Sequence, residues 1–208
     1  DNILEQSSNY IIAVVGRKQY GLAIADVSTG EFLVTQVEDS EALLREICKF
    51  HPSECVFSDE DTALYQLFTE HDDEFRGMSL SPYNSYLFKE KNASERLLEH
   101  FHINDLAVLG FNAPGREGPA ITAAAVLLGY IQEMLRIEPK HMLQLTRYRI
   151  DSVMQLDLFT KKNLELVDSL NDHHGTALFD ILNKTATSAG ARLLRRWIEE
   201  PLIDPAEI

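Results

Sequence analysis

The chain has 208 residues, of which 45% are hydrophobic and 25% charged, a composition typical of globular domains that excludes a disordered or fibrous chain. Its formal net charge is −14, and residues 1–110 carry 20 acidic and 8 basic side chains. Because nucleic-acid affinity comes largely from Lys and Arg side chains that neutralise phosphates, we do not expect this half to bind a duplex tightly by itself.

Two further features bear on where the protein works. The sequence has no run of about eighteen apolar residues, so no membrane span is predicted. Its cysteines, Cys48 and Cys55, are too few for a disulfide framework and favour a reducing, cytoplasmic setting. The chain starts at Asp1 rather than Met and ends at Ile208, from which we expect a piece of a longer protein.

The first part of the chain reads as strands. Three short apolar or alternating runs, Tyr10–Val15, Tyr20–Val27 and Glu31–Gln36, are separated by turn residues around Gly16 and Gly30. Such runs joined by tight turns predict an antiparallel meander.

Helices and one more strand are predicted next. Ser40 is a candidate cap for an amphipathic helix that ends before Pro52, and Glu54–Phe57 reads as a short buried strand. A second short helix is predicted over Thr62–Phe68, so the order is β-β-β-α-β-α, typical of a mixed α/β domain. Residues 72–91 are polar and turn-rich, and Pro82 argues against a helix there.

A clear amphipathic helix is predicted from Asn92 to Phe101, with Asn92 as its N-cap and Glu95 three residues later, as in a capping box. The Gly- and Pro-rich residues 111–118 then predict a linker between a domain at 1–110 and a helical domain at 119–208. The second domain is predicted to begin with a buried helix from Pro119 to Ile137, which Pro139 stops. An extended segment from Tyr148 to Leu156 and an amphipathic helix over Leu158–Leu170 follow. The last predicted helix is capped by Thr185 or Thr187 and stopped by Pro201.

Strong catalytic and metal signatures do not occur in the sequence. There is no phosphate-binding loop of the GxxxxGK[ST] type, no GxGxxG, no HExxH and no CxxC. Cys48, His51 and Cys55 have spacings that match no usual zinc module, and we interpret the cysteines as small buried hydrophobes. His173 and His174 precede a glycine and are interpreted as solvated loop residues.

One enzyme hypothesis follows from the order of the elements, which is that of the ribonuclease H fold. Enzymes of that fold use several carboxylates around two Mg²⁺ ions near strand ends. Asp26 and Glu31 lie near strand ends, and Asp59-Glu60-Asp61 follow a strand. The first strand, Tyr10–Val15, has no carboxylate, so we favour the fold without the chemistry and keep a metal-dependent nuclease as the alternative.

Two helices carry charged residues that bear on binding. The helix from Asn92 presents Glu95, Arg96 and Glu99 outward in the predicted register, which fits either a solvated face or a contact surface. The last helix carries three spaced arginines, which we interpret as partners of nearby Glu residues. These arginines are Arg192, Arg195 and Arg196. The alternative is that they contact phosphate groups. A generic DNA-binding module is a further hypothesis for the chain.

Three stretches resemble segments of one protein family. Residues 22–32 (LAIADVSTGEF) are similar to its segment G-x-A-x-x-D-x-S-T-G-E-F, and residues 160–166 (TKKNLEL) to T-R-R-N-L-E-L. Residues 176–201 resemble S-L-L-x-x-L-D-x-T-x-T-x-M-G-x-R-L-L-R-x-W-L-x-x-P, with Asn183 in place of Asp and Ser188-Ala189 in place of a Pro-Met type pair. On these motifs the chain is identified as a member of the bacterial MutS DNA mismatch repair family.

The resemblance implies a domain organisation. Residues 1–110 would be the connector domain, similar to a ribonuclease H-like fold without its catalytic centre, and 119–208 the N-terminal part of the helical core or lever domain. ATP, Mg²⁺ and homodimerisation belong to the full-length parent, so no catalytic residue, metal or cofactor is expected in this chain. Mismatched duplex DNA is expected to bind through the parent only, since Phe88-Lys89-Glu90 spells the mismatch-reading Phe-x-Glu triplet but lies far past its place in the family.

The resemblance also implies a role and a partner. The connector of the family transmits conformational change between the ATPase and the DNA-binding end, and it provides part of the surface that recruits the MutL protein. By local alignment that surface would include Glu95 and Arg96, where the family example has two glutamines, and Glu99 on the same helix. The acidic charge of this half fits a protein partner better than DNA.

Overall fold

The computed structural model describes residues 10–73, 75–134, 144–148, 150, 154, 156, 158–167, 169 and 176–203. Contacts between Cα atoms divide the chain into two compact units, Asp1–Tyr148 and Arg149–Ile208, here called the N-terminal and the C-terminal unit. Each unit is described by itself.

The N-terminal unit is a mixed α/β domain built on one sheet. Its elements are β1 (Tyr10–Gly16), β2 (Tyr20–Asp26), β3 (Glu31–Val37), α1 (Ser40–Phe50), β4 (Glu54–Ser58), α2 (Thr62–Glu70), β5 (Ser79–Tyr83), a 3₁₀ helix (Ser85–Phe88), α3 (Glu90–Phe101), a 3₁₀ helix (Leu106–Leu109), α4 (Pro114–Glu133) and β6 (Thr146–Arg147). The six strands lie in the order β5-β4-β1-β2-β3-β6. The first three strands form the predicted antiparallel meander, and the other neighbouring pairs are parallel.

At the centre of the sheet, in β1 and β2, the two faces differ in side-chain size. Successive strand residues point to opposite faces, and the face packed against α3 and α4 carries the small side chains of Ala13, Ala23 and Ala25. The opposite face carries larger buried side chains, which are Ile12, Val14, Leu22 and Ile24. Helix α1 contacts β2 and β3 and buries Leu43 and Ile47 outside the cluster that surrounds α4, which places it on this second face.

Close packing of α4 on the sheet depends on a glycine. A Cβ atom on Gly21 of β2 would overlap the carbonyl group of Pro119 and the backbone nitrogen of Ala120 in α4. Because the obstacle is backbone rather than a movable side chain, only glycine fits at this position while α4 keeps its place.

Two helices start at residues other than those predicted. Helix α1 is capped by Asp39, whose carboxylate accepts from the Ala42 backbone NH at 2.8 Å, so Ser40 is its first helical residue and not its cap. Helix α3 starts at Glu90 with Lys89 as N-cap and no side-chain cap. Asn92 therefore lies inside this helix, where its amide donates to the Tyr86 carbonyl at 3.4 Å.

The polar segment 72–91 contains a strand that the sequence pattern did not indicate. Strand β5 pairs in parallel with β4 and includes Pro82 opposite Phe57. Since Pro cannot donate to a ladder, it is confined largely to edge strands, and β5 is the edge of this sheet.

The predicted linker 111–118 is not where the chain divides. Helix α4 begins at Pro114, so Pro119 lies inside the helix instead of at its start. Pro at a first helical position needs no hydrogen-bond partner for its nitrogen, which explains why a Gly- and Pro-rich stretch forms the first turns. Helix α4 packs on β1, β2 and β3, and the compact unit extends to Tyr148.

The described part of the C-terminal unit consists of short helices, α5 (Leu158–Asn163), α6 (Leu178–Leu182) and α7 (Ser188–Glu199). Helix α7 agrees with the prediction, since Thr187 accepts from the Gly190 backbone NH at 3.1 Å and Pro201 follows the helix. Helix α5 ends earlier than predicted, and Glu165 beyond it has a positive φ of 47°. Ile137, Pro139 and most of the predicted extended segment to Leu156 lie outside the described residues.

Candidate functional site

The candidate contact residues on α3 do not share one environment. Glu95 and Glu99 are exposed, as predicted from their helical spacing. The Arg96 side chain is only 26% exposed and lies against α4, so the expectation that it points outward is wrong. The candidate surface on this helix is therefore acidic.

Arg96 is held between α3 and α4. Its Nη2 atom donates to Oε1 of Glu133 at 2.9 Å. The guanidinium group also lies against Gly129, where an added Cβ would overlap Nη1 and come within 2.8 Å of Cζ. Gly129 and Glu133 are one helical turn apart, so a single face of α4 provides both the space and the ion-pair partner.

The ion pair continues into a chain of polar groups that reaches the sheet. The Tyr83 hydroxyl, at the end of β5, donates to Oε2 of Glu133 at 2.9 Å. The rings of Tyr83 and Tyr130 meet edge to face at a centroid distance of 5.3 Å. The Tyr130 hydroxyl in turn donates to Oε1 of Glu54 in β4, and Ser81 of β5 donates to the same oxygen, each at 2.5 Å.

The electrostatics of these groups favour a charged carboxylate facing neutral phenols. Burial raises the pKa of Glu133, but hydrogen bonds from Tyr83 and Arg96 and the Arg96 charge outweigh it and hold that pKa below its ordinary value. Burial, and then the hydrogen bond to Glu133, raise the pKa of Tyr83 to about 12. Burial and the hydrogen bond to Glu54 also raise the pKa of Tyr130. Both tyrosines therefore remain donors at neutral pH.

The exposed side of α3 continues into the preceding 3₁₀ helix. Asn92, Glu95 and Glu99 follow one another at intervals of three and four residues and so lie along one face of the helix. The Asn92 amide contacts the backbone of Tyr86, whose side chain is 58% exposed, and Lys89 lies 4.8 Å above the Tyr86 ring. We call Tyr86, Asn92, Glu95 and Glu99 the α3 stripe.

Two members of this region were missed at the level of sequence. Tyr86 lies in a segment that reads only as polar turns, and its 3₁₀ helix depends on the Asn84 side chain, which accepts from the Tyr86 backbone NH at 2.9 Å. Glu133 is the first acidic residue after a long uncharged run in α4. A lone charge at the end of an apolar helix is a signal that a partner lies nearby, although the pattern does not identify Arg96 as that partner.

The carboxylates of the nuclease hypothesis have structural partners. Asp26 is buried, and its Oδ1 accepts from the Ser28 backbone NH at 2.8 Å and the Ser28 hydroxyl at 2.5 Å, which forms the turn between β2 and β3. Glu31 accepts from the Tyr10 hydroxyl at 2.8 Å. Both carboxylates thus serve the meander.

The three acids after β4 also have structural contacts. Asp59 accepts from the backbone NH of Ser85, and Glu60 accepts from the Ser85 hydroxyl, both at 3.0 Å. Asp61 caps α2 by accepting from the Leu64 backbone NH at 3.2 Å. Over the part of the chain that the structure describes, no group of three or more His, Cys, Asp or Glu side chains could hold a metal ion.

Cys48, His51 and Cys55 do not form a site. Cys55 is buried in β4, and this burial raises the pKa of its thiol, which keeps it protonated. His51 is exposed at the end of α1 with a positive φ of 44°. His173 and His174 lie outside the described residues.

The three arginines of α7 have interaction partners, and for Arg195 the partner lies in the same helix. The Nε atom of Arg195 lies 3.6 Å from Oε2 of Glu199, which is one turn further along the helix, as the predicted pairing requires. Lys161 of α5 approaches the other oxygen of Glu199 at 4.0 Å. Arg192 and Arg196 also have interaction partners. In the described ranges, no helix has the length and apolar character needed to span a membrane.

Comparison with known proteins assigns families to both units. Residues 9–143 match the family described as MutS domain II, and residues 159–208 match MutS domain III. The first match covers strands β1 to β5, α3 and α4, and the second begins within α5.

Curated relatives cover nearly the whole chain. The DNA mismatch repair protein MutS of Chlamydia pneumoniae is 36% identical over 98% of this chain and 24% of its own length. The proteins of the same name from Syntrophobacter fumaroxidans and Desulfitobacterium hafniense are 34% and 36% identical over 100% of this chain and over 23% and 22% of their own lengths. The chain thus spans about a quarter of the length of these relatives.

Proposed function

The chain belongs to the MutS family of DNA mismatch repair proteins, and we propose that its N-terminal unit is the connector domain and its C-terminal unit the first part of the helical core. In this role the chain couples DNA binding to the ATPase and helps to recruit MutL. The observation that carries the recruitment role is the exposed acidic α3 stripe, held on a helix that is fixed to the sheet through α4.

A ribonuclease H-like connector is supported by the sheet. The antiparallel meander β1-β2-β3 continues on the β1 side into parallel β4 and β5, with α1 as the connection from β3 to β4. We infer that the fold serves here as a rigid scaffold. The turn contacts of Asp26 and the hydroxyl contact of Glu31 favour this role over a metal-dependent nuclease.

The other properties of the whole protein are proposed for the parent and not for residues of this chain. They are ATP hydrolysis with Mg²⁺, binding of mismatched duplex DNA, and homodimerisation. Two cysteine thiols that form no disulfide fit a reducing cytoplasm.

Recruitment of MutL through α3 rests on charge and access. Glu95 and Glu99 are exposed, and among the ion pairs of the described side chains neither carboxylate has a basic partner within its own helix. Exposed charges at the rim of an interface mainly set the association rate and its salt dependence. We therefore expect the partner to present a basic surface to α3.

The test is binding of the 208-residue chain to the N-terminal region of MutL, measured by biolayer interferometry at several salt concentrations. The test variant is Glu95→Gln with Glu99→Gln. The control is Glu38→Gln with Glu41→Gln, which removes the same number of exposed charges at the start of α1 on the other face of the sheet.

We expect the α3 double variant to weaken binding about tenfold and to reduce its salt dependence. The α1 control should bind like the wild type. Equal losses of affinity in the two variants would show that the effect comes from net charge alone. No loss of affinity in the α3 variant would place the recruitment surface elsewhere.

A further inference from the structure

Arg96 differs from its neighbours on α3 in what it contacts. Its guanidinium group lies against the backbone of α4 at Gly129, and its Nη2 donates to Glu133. Glu133 is also bound by Tyr83, so each carboxylate oxygen has a donor, one from α3 and one from β5. The side chain thus joins the helix that carries the α3 stripe to the helix that packs on the sheet.

The geometry restricts the role that Arg96 has in partner binding. A carboxylate of a partner would have to compete with Glu133, which is already oriented by Tyr83. The planar guanidinium group fits the flat space above Gly129, and a side chain at residue 129 would remove that space. Glu95 and Glu99 have no comparable contact with α4 among the described hydrogen bonds and ion pairs.

We propose that Arg96 is a positioning residue: seated on Gly129 and paired with Glu133, it fixes α3 on α4 and thereby sets the place of Glu95 and Glu99, which contact the partner. The inference rests on the proposed recruitment of MutL, and it assigns the two acids and the arginine to different tasks. An arginine that contacted MutL directly would instead form an ion pair with an acidic group of the partner.

The chain offers a variant that displaces Arg96 without removing it. Gly129→Ala places a Cβ where the guanidinium group lies, and a flexible side-chain end moves aside at low cost. Gly115→Ala is the matched control, because it makes the same change in the same helix with nothing within 4 Å of the added Cβ. Arg96→Gln removes the charge, and Arg96→Lys keeps it without the planar fork.

Two measurements separate the roles. The first is hydrogen–deuterium exchange of the α3 amides in the 208-residue chain alone. The second is the affinity for the N-terminal region of MutL and its salt dependence. If Arg96 positions α3, we expect Gly129→Ala and Arg96→Lys to speed exchange in α3 and to weaken binding about fivefold with an unchanged salt dependence.

Two control variants separate the positioning of α3 from the loss of binding charge. Gly115→Ala should leave exchange and affinity at wild-type values. The double variant Glu95→Gln, Glu99→Gln should lower affinity and salt dependence while α3 exchanges at the wild-type rate.

Two outcomes would overturn the inference. If Gly129→Ala leaves exchange and affinity unchanged while Arg96→Gln lowers the salt dependence, Arg96 is a contact residue and MutL recruitment by α3 still stands. If the wild-type chain does not bind MutL, the proposed recruitment fails, and the task assigned to Arg96 fails with it.

Discussion

The two units bury their apolar side chains to different extents. In the N-terminal unit the large apolar residues of the sheet and of α4, such as Leu22, Ile24 and Ile121, are fully buried. Among the described residues of the C-terminal unit, the buried hydrophobic side chains are those of Ala177 and Ala191. The exposed large apolar residues there are Met154, Leu164, Leu178, Ile181, Leu182, Leu193, Trp197, Leu202 and Ile203.

The difference teaches that an amphipathic pattern can specify a helix whose large apolar side chains stay partly exposed among the described residues. Helix α4 has a sheet to pack on and is buried nearly all round. Helix α7 has a well-formed cap and a separated apolar face, yet Trp197 on it is 65% exposed. We therefore expect the N-terminal unit to be the more stable, since burial of apolar surface is the dominant favourable contribution to folding.

The largest expected effect tests the close approach of α4 to the sheet. Gly21→Ala should destabilise the N-terminal unit by more than about 4 kcal/mol, a range that few single substitutions reach. The added Cβ meets the backbone at Pro119, which cannot move without displacing α4. Denaturant unfolding followed by far-UV circular dichroism measures the loss. A loss no larger than that of Gly115→Ala would contradict the described packing.

A matched pair of substitutions compares the two units directly. Ile121→Ala removes a fully buried side chain and should cost about 3 kcal/mol, whereas Ile181→Ala removes one that is 58% exposed and should cost below about 0.5 kcal/mol. Trp197, the single tryptophan, reports the C-terminal unit by fluorescence, and exchange of the sheet amides reports the N-terminal unit. Equal costs would show that the C-terminal unit has a closed core.

Helix capping provides a smaller comparison. Asp39→Ala and Thr187→Ala each remove a side chain that accepts from a backbone NH in the first turn, and each should cost about 1 kcal/mol. The first loss should appear in sheet-amide exchange and the second in Trp197 fluorescence. If either substitution shifts both signals equally, the units unfold together and the comparison between them fails.

The smallest effect is a dependence on pH. The pKa of Glu133 is lowered in the folded protein, so its contribution is present above the ordinary value of 4.5 and is lost as the pH falls through the lower folded value. The side chain is 50% exposed and screened by solvent, so the contribution should stay below about 1 kcal/mol. Glu133→Gln should remove it, and unfolding curves of the two proteins at pH 3 to 5, about the ordinary carboxyl pKa, measure the difference.

The pH dependence of stability has the opposite sign at Tyr83, because the pKa of this group is raised in the folded protein. Its pKa is raised from 10.0 to about 12, so its stabilisation is complete below the unfolded value and is lost as the pH rises through the folded one. Tyr83→Phe should abolish this loss. The pKa of Tyr130 is also raised, so part of the alkaline loss of stability should remain in Tyr83→Phe, and a loss as large as that of the wild type would contradict the contribution of Tyr83.

Much of the N-terminal unit could be predicted because its strands have distinct local patterns. The β-branched run at Tyr10–Val15 and the turn at Gly30 specify a meander without any knowledge of the rest of the fold. The first turns of α4 could not be predicted in this way. Gly and Pro mark both loops and helix starts, and only packing on the sheet distinguishes them at Pro114.

The candidate site was predictable in part. Helical spacing was enough to place Glu95 and Glu99 on an exposed face of α3. The same spacing placed Arg96 outward, because a pattern within one helix carries no information on the gap that Gly129 leaves in another. The role of α3 in binding MutL stays a prediction.

The most direct test of that role compares both units in one experiment, namely hydrogen–deuterium exchange of the 208-residue chain with and without the N-terminal region of MutL. We predict slower exchange on binding in α3 and in the 3₁₀ helix at Ser85–Phe88, and unchanged exchange in α7. Slower exchange confined to the C-terminal unit, with α3 unchanged, would contradict recruitment through the α3 stripe.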